Sequence, residues 1–217
     1  MDALTLKIIT LALMVESIVL HEMAHGYVAG LFGDRTARLH GRITLNPIPH
    51  IDMVWTIIVP VVAYLLSGGS FIIGGAKPVP VNPRNYSRKV AGDICVSMAG
   101  VTVNFIISIV MILLVNVVYF AFGSSSGALM IHAMLQVAFL NMVLALFNLI
   151  PIPPLDGSHL FKYLLSPEMR LKYMNLGRTG VGFIILILVI NLPGVWNVFG
   201  RALVGLEKIL LERLIFF

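Results

Sequence analysis

Apolar residues run almost without interruption from Ala3 to Leu20, broken only by Thr5, Lys7, Thr10, Glu16 and Ser17, and the run continues through a cluster of ionisable side chains to Phe32. This pattern predicts a first helix over Ala3–Phe32, ended by the Gly33-Asp34 turn. Its roughly 30 residues cover about 45 Å, enough to cross a bilayer with some tilt. Asp34–Ile51 is polar and punctuated by Gly41, Asn46, Pro47 and Pro49, and the alternation in Arg42-Ile43-Thr44-Leu45 predicts a short strand. Met53–Ser67 reads as a short apolar helix.

Gly68 to Val81 is apolar, yet its glycines and the Ala76-Lys77-Pro78-Val79-Pro80-Val81 run cannot be helical. Such backbone is tolerated at membrane depth only when protein or a watery cavity covers it, so the segment reads as a re-entrant loop. A long helix is expected from Pro83 to about Phe122, with Asp93, Ser97, Gly100, Asn104 and Ser108 forming one small, polar stripe for packing against the first helix. The uncharged Gly123–Gly127 turn leads to a span over Ala128–Ile150, where Asn141 and Asn148 share a face and His132 is a packing or interfacial residue. Prolines 151, 153 and 154 break that span, and Met169–Leu192 and Val195–Phe217 are two further apolar helices. The fold class expected is an all-α polytopic membrane protein of about five to six membrane helices, with a short strand segment and a re-entrant loop. It forms a single domain over residues 1–217, with a core at about 3–165 and C-terminal helices at 169–217.

Composition agrees with a membrane class. Of 217 residues, 59% are hydrophobic and 12% charged, with a mean hydropathy of +0.96, against about 25% charged residues in ordinary soluble domains. The net charge of +5 is not gathered into a basic cluster with interleaved aromatics, so no nucleic-acid partner is expected. It reads instead as a topology signal. The single cysteine, Cys95, excludes an intramolecular disulfide and is expected as a small core residue. Lys7 and the apolar run after it resemble a secretory signal, but no small-residue cleavage site follows, and the helix is read as retained.

The candidate chemistry is His21-Glu22-Met23-Ala24-His25. Four residues apart on a helix, His21 and His25 share a face and can present two imidazole nitrogens to one metal ion. Glu22 lies about 100° around the helix, where its carboxylate can take a proton from water without occupying a coordination position. In a soluble helix these three could be core polar residues satisfied by neighbouring carbonyls. In lipid, three ionisable groups within five residues are costly and mark a functional site.

With Asn148-xx-Pro151-x-Pro153-x-Leu155-Asp156-Gly157 about 130 residues downstream, the chain resembles the site-2 protease family of intramembrane zinc metalloproteases. The segments Gly33–Arg38, Gly41–Pro47 and Ala76–Asn82 are similar to its small prokaryotic branch that lacks a PDZ domain. The resemblance implies one zinc ion per chain held by His21, His25 and Asp156, Glu22 as catalytic base, and Asn148 as a substrate-backbone ligand. Two departures stand out: Ala99-Gly100-Val101-Thr102-Val103-Asn104 lacks the proline of the usual Ala-Gly-Pro-xx-Asn signature, and Met53-Val54-Trp55 replaces a common Pro-Leu-Gly. Both bear on access and packing rather than on the ligands. His159 can share a face with Asp156 if a helix begins at Gly157; the family match favours Asp156 as ligand and leaves His159, like Asn104, as a supporting residue behind the ligands.

The function expected is hydrolysis of peptide bonds within or near transmembrane segments, in regulated intramembrane proteolysis or clearance of signal-peptide remnants. An unwound substrate segment would pair with backbone around Gly75, Val79 and Val81. Partners are transmembrane protein substrates and the lipid bilayer. A membrane metal transporter would also bury such ligands but has no use for Glu22, and a catalytically silent scaffold would not need the complete ligand set. Arg35, Arg38 and Arg42, the four Lys/Arg of Lys77–Lys89, and Lys162, Arg170, Lys172 and Arg178 place their segments in the cytoplasm. Gly123–Gly127 and the N-terminus then lie outside, in a multi-pass cell-membrane protein whose active site is nearer the cytoplasmic face.

Overall fold

The computed structural model describes residues 3–66, 74–190, 192 and 194–216. Among them the regular structure is helical: α1 (Ala3–Leu31), α2 (Thr36–Leu39), α3 (Val59–Leu66), α4 (Lys89–Asn148), α5 (Gly157–Phe161), α6 (Pro167–Arg178), α7 (Val181–Ile190) and α8 (Val195–Leu214). The chain forms two compact units, one of residues 15–99 and the other of residues 1–14 with 100–217, to both of which α1 and α4 contribute.

Among the described residues, three helical stretches are long and apolar enough to cross a membrane: Leu4–Leu31, Lys89–Gly123 and Gly127–Asn148. A fourth is possible if α6 and α7, bent by 84°, count together as one broken span. The described residues therefore give three or four spans where five to six were expected. Met169–Leu192 is not one helix, because the chain turns at Gly180 (φ 76°), a backbone angle that favours glycine. The ten residues of α7 are too few to cross alone, and α8 carries Arg201, Glu207, Lys208, Glu212 and Arg213 along its length. The long α4 breaks only at Gly123 (φ 72°), within the expected uncharged turn.

The strand expected at Arg42–Leu45 is not formed either; Ile43, Thr44 and Leu45 form a bend. Local side-chain bonds compete there: Thr44 Oγ1 accepts from Asn46 N–H at 3.2 Å, and Asn46 Oδ1 from Ile48 N–H at 3.1 Å. The short apolar helix opens as a π-helix, Met53–Ile58, capped by Asp52 Oδ1, which accepts from the N–H groups of Val54 and Trp55 at 2.9 Å. Of the segment expected to re-enter the membrane, residues 68–73 lie outside the described residues, and residues 74–82 are non-helical as expected.

In the unit of residues 15–99, the second half of α1 packs against the start of α4. Ala29, Tyr86 and Val96 are buried together, with Val28, Phe32 and Val81 against them. The polar stripe is indeed a buried face, with Asp93 and Ser97 in this unit and Gly100, Asn104 and Ser108 in the other. Cys95 is exposed, contrary to expectation, because it lies about 200° around α4 from both Asp93 and Ser97. Beyond α1, Asp34 is almost completely buried and gathers the connecting chain. Its carboxylate accepts from Asn82 N–H at 2.6 Å, Asn85 Nδ2 at 2.9 Å, Thr36 N–H at 3.1 Å and the Thr36 hydroxyl.

In the other unit, Asn116 ties α4 to the end of α8: its Nδ2 donates to the Leu214 carbonyl at 2.6 Å, and its Oδ1 accepts from Phe216 N–H at 2.8 Å. The proline turn after α4 is fitted by glycines. A Cβ at Gly182 would strike the Pro153 carbonyl, and one at Gly157 would strike the Leu149 carbonyl.

Burial alone would raise the Asp34 carboxyl, but the hydrogen bonds from Asn82, Thr36 and Asn85 outweigh it and hold its pKa below the usual value. A carboxyl depressed in the folded state contributes stability above its unfolded pKa, and that contribution is lost as pH falls through the lowered folded value. Asp34→Ala is therefore expected to cost about 1–3 kcal/mol by leaving buried donors unpaired. In thermal unfolding in detergent, the gap between variant and parent should narrow as pH falls below about 4.

Candidate active site

The helical spacing of α1 brings His21 and His25 together as expected. Their Nε2 atoms are 3.1 Å apart, with the rings edge to face at 84° and centroids separated by 4.8 Å. His21 is buried and His25 half-buried. The His25 Nδ1 lies 2.7 Å from the Val96 carbonyl of α4. A carbonyl accepts only, so Nδ1 carries the proton and the Nε2 lone pair is left to bind a metal. Two ligands at about 2.0–2.1 Å from one zinc ion with this nitrogen separation subtend about 100°, close to tetrahedral. The pair thus fits a zinc site on its own geometry.

Glu22 faces the extended segment. Its Oε2 accepts the Val79 N–H at 2.8 Å, and Val79 is buried between two prolines. One carboxylate oxygen is therefore anchored, which limits the rotation of the group and orients the other. Gly26, next to His25, makes this approach possible: a Cβ there would meet Ala37 Cβ at 2.8 Å and Val79 Cγ1 at 2.9 Å. Neither Val96 nor Gly26 was legible as a site residue in the sequence. A carbonyl has no sequence signature, and a glycine inside a helix points only to some unspecified close approach.

Gly75, Val79 and Val81 lie with His21, Glu22 and His25 in the unit of residues 15–99. Asn104, Asn148, Asp156 and His159 lie in the other. Asp156 directly precedes α5, which starts at Gly157 as the alternative with His159 required. His159 Nδ1 is 3.2 Å from Lys162 Nζ, so that nitrogen accepts from the ammonium group and is not available as a ligand. Asn148 donates from Nδ2 to the Leu144 carbonyl at 3.0 Å, leaving its carbonyl oxygen and a second N–H for other partners. Asn104 is fully buried, and neither of its amide atoms has a protein partner among the described residues.

The chain belongs to peptidase family M50, whose model matches residues 9–123 and 114–189. It is 35% identical over 184 residues to the protein of Bacillus subtilis (strain 168) named "Putative zinc metalloprotease YwhC", covering 83% of this chain and 78% of that one. It is 29% identical over 163 residues to the Rip2 protein of Mycolicibacterium smegmatis, and 28% identical over 159 residues to that of Mycobacterium tuberculosis, both carrying the same zinc metalloprotease description. Those alignments cover 75% and 71% of this chain but only 60% and 56% of the mycobacterial proteins. No solved structure matches the chain. The protein is a zinc metalloprotease, and its apolar helices make it a membrane-embedded one.

Gly26→Ala should push Val79 away from α1 and loosen the hold on Glu22 while leaving the histidine pair in place. The expected result is a fall in turnover of about 10- to 100-fold, the scale of a small misplacement of a catalytic group. Zinc content measured by elemental analysis should be unchanged.

Proposed function

We propose that one membrane-embedded protease domain, residues 1–217, cleaves transmembrane protein substrates in or near their spans. His21, His25 and Asp156 are the zinc ligands and Glu22 is the general base. The observation that carries this reading is the Glu22 carboxylate anchored on the Val79 N–H, beside an imidazole pair whose proton placement suits metal binding. Two imidazoles and a carboxylate are also the donor chemistry of a hydrolytic zinc site. When bound, zinc acidifies a water molecule and polarises the scissile carbonyl.

The residues do the rest. Glu22 takes the proton from the attacking water through its unanchored oxygen and returns it to the leaving amine. Val96 holds His25 in its ligand tautomer. Asn148 binds the substrate backbone through its spare amide groups. The buried amide of Asn104 supports a route for water along α4, together with Asn141. A substrate helix hides its carbonyls in its own hydrogen bonds, so it must unwind, and the outer edge of the backbone running from Gly75 through Val79 to Val81 is where it pairs. Release of an anchored regulator and removal of signal-peptide remnants are both reactions of this class. The absence of any role for Glu22 in transport disfavours a metal carrier.

Glu22→Gln should keep its zinc while cleavage falls by at least about 100-fold, whereas His21→Ala and His25→Ala should lose both. A Glu22→Gln protein that cleaves near the parent rate would exclude Glu22 as the base. Asp156→Asn should deplete zinc and abolish proteolysis, while His159→Ala should retain most of both; the reverse pattern would transfer the ligand role to His159.

The distribution of Lys and Arg supports an active site nearer the cytoplasmic face, with the N-terminus and Gly123–Gly127 outside. With Cys95 replaced by Ser, a cysteine introduced at Ser125 should react with a membrane-impermeant maleimide from outside the cell. Labelling only from the cytoplasmic side would invert the arrangement.

A further inference from the structure

The extended segment that approaches Glu22 has two chemically unequal edges. Gly75 donates its N–H to the Trp55 carbonyl at 2.9 Å, and its own carbonyl accepts from the Thr56 hydroxyl at 2.7 Å. Lys77 repeats this two residues on, donating to the His50 carbonyl at 2.8 Å and accepting from Arg42 Nη2 at 2.7 Å. Val79 then donates to Glu22. In extended backbone the N–H and C=O of one residue point to the same side, and those of the next residue to the opposite side. Residues 75, 77 and 79 therefore use the inner edge, while residues 76, 78 and 80 present the outer one.

On that outer edge Pro78 and Pro80 supply carbonyls and no N–H. Neither carbonyl accepts a hydrogen bond among the described residues, and Pro78 is exposed. The edge thus offers acceptors at 76, 78 and 80 but a donor at Ala76 alone. It passes one residue from the catalytic base, since Val79, between the two prolines, holds Glu22.

We propose that residues 76–80 form a strand template that only accepts hydrogen bonds over Pro78 and Pro80, so that a substrate segment is held there by its own N–H groups. The proposal rests on the protease reading and adds a rule of substrate selection. The substrate residues facing Pro78 and Pro80 are two apart in sequence, and each must carry an N–H. Proline is excluded at both and tolerated between them, where the substrate N–H points away. Side-chain identity at these positions matters less, because backbone bonds carry the recognition.

The test uses the full-length, zinc-loaded protein in detergent with a synthetic peptide library, its cleavage sites mapped by mass spectrometry. Proline should be depleted at two positions separated by one tolerant residue, at a fixed distance from the cleaved bond. N-methylated residues, which lose the N–H without gaining the ring, should show the same pattern, each reducing cleavage by about 3- to 10-fold. The same positions should weaken binding of a labelled peptide to the Glu22→Gln protein, measured by fluorescence anisotropy. Tolerance of proline and N-methyl groups at every position would overturn the proposal and leave the prolines as guards of an otherwise sticky edge, as would uniform exclusion at three consecutive residues. Cleavage that persists after zinc removal and in Glu22→Gln would instead overturn the protease reading, and the proposal with it.

Discussion

One hydrogen bond, from the Val79 N–H to Glu22 Oε2, joins the second half of α1 to the non-helical segment of residues 74–82. A carboxylate withdrawn from water is costly unless it is hydrogen-bonded, and backbone withdrawn from water is costly unless its N–H groups are used. Each solves the other's problem. The carboxylate is oriented by a backbone donor, and the segment gains an acceptor for the Val79 N–H where the described residues form no strand beside it.

The surrounding structure serves that contact. Gly26 lets the segment approach α1, and the inner-edge bonds of Gly75 and Lys77 set its direction. At the far end, Asn82 and Asn85 donate to Asp34, fixing where the extended stretch stops relative to the end of α1. The expected strand at Arg42–Leu45 gives way to a bend, yet Arg42 still contributes by donating to the Lys77 carbonyl. The placement of His25 and Glu22 in this unit is thus set largely by main-chain groups, held by a few buried polar side chains.

The other unit shows the same economy around its proline turn. Gly157 and Gly182 are required because carbonyls of Leu149 and Pro153 occupy the space of a Cβ. The glycine after Asp156 is thus required by packing. Tyr173 secures the turn by donating to the Pro151 carbonyl at 2.8 Å.

Local sequence determined much of this. Hydrophobic runs located the ends of the spanning helices to within two residues, except that α4 begins at Lys89 rather than Pro83, because lipid leaves a helix as the only local way to satisfy the backbone. The four-residue spacing of His21 and His25 placed two imidazoles on one face, because helical geometry is local. Tertiary structure decided the rest. The Val96 carbonyl on His25, the Val79 N–H on Glu22 and the closeness allowed by Gly26 are contacts between residues far apart in sequence, made largely by atoms every residue possesses. The described residues give fewer spans than the pattern predicts for a related reason: Gly180 and the charges of α8 interrupt segments whose average apolarity suggests whole crossings. Composition and periodicity record what a segment prefers, whereas backbone partners and chain direction depend on what folds against it.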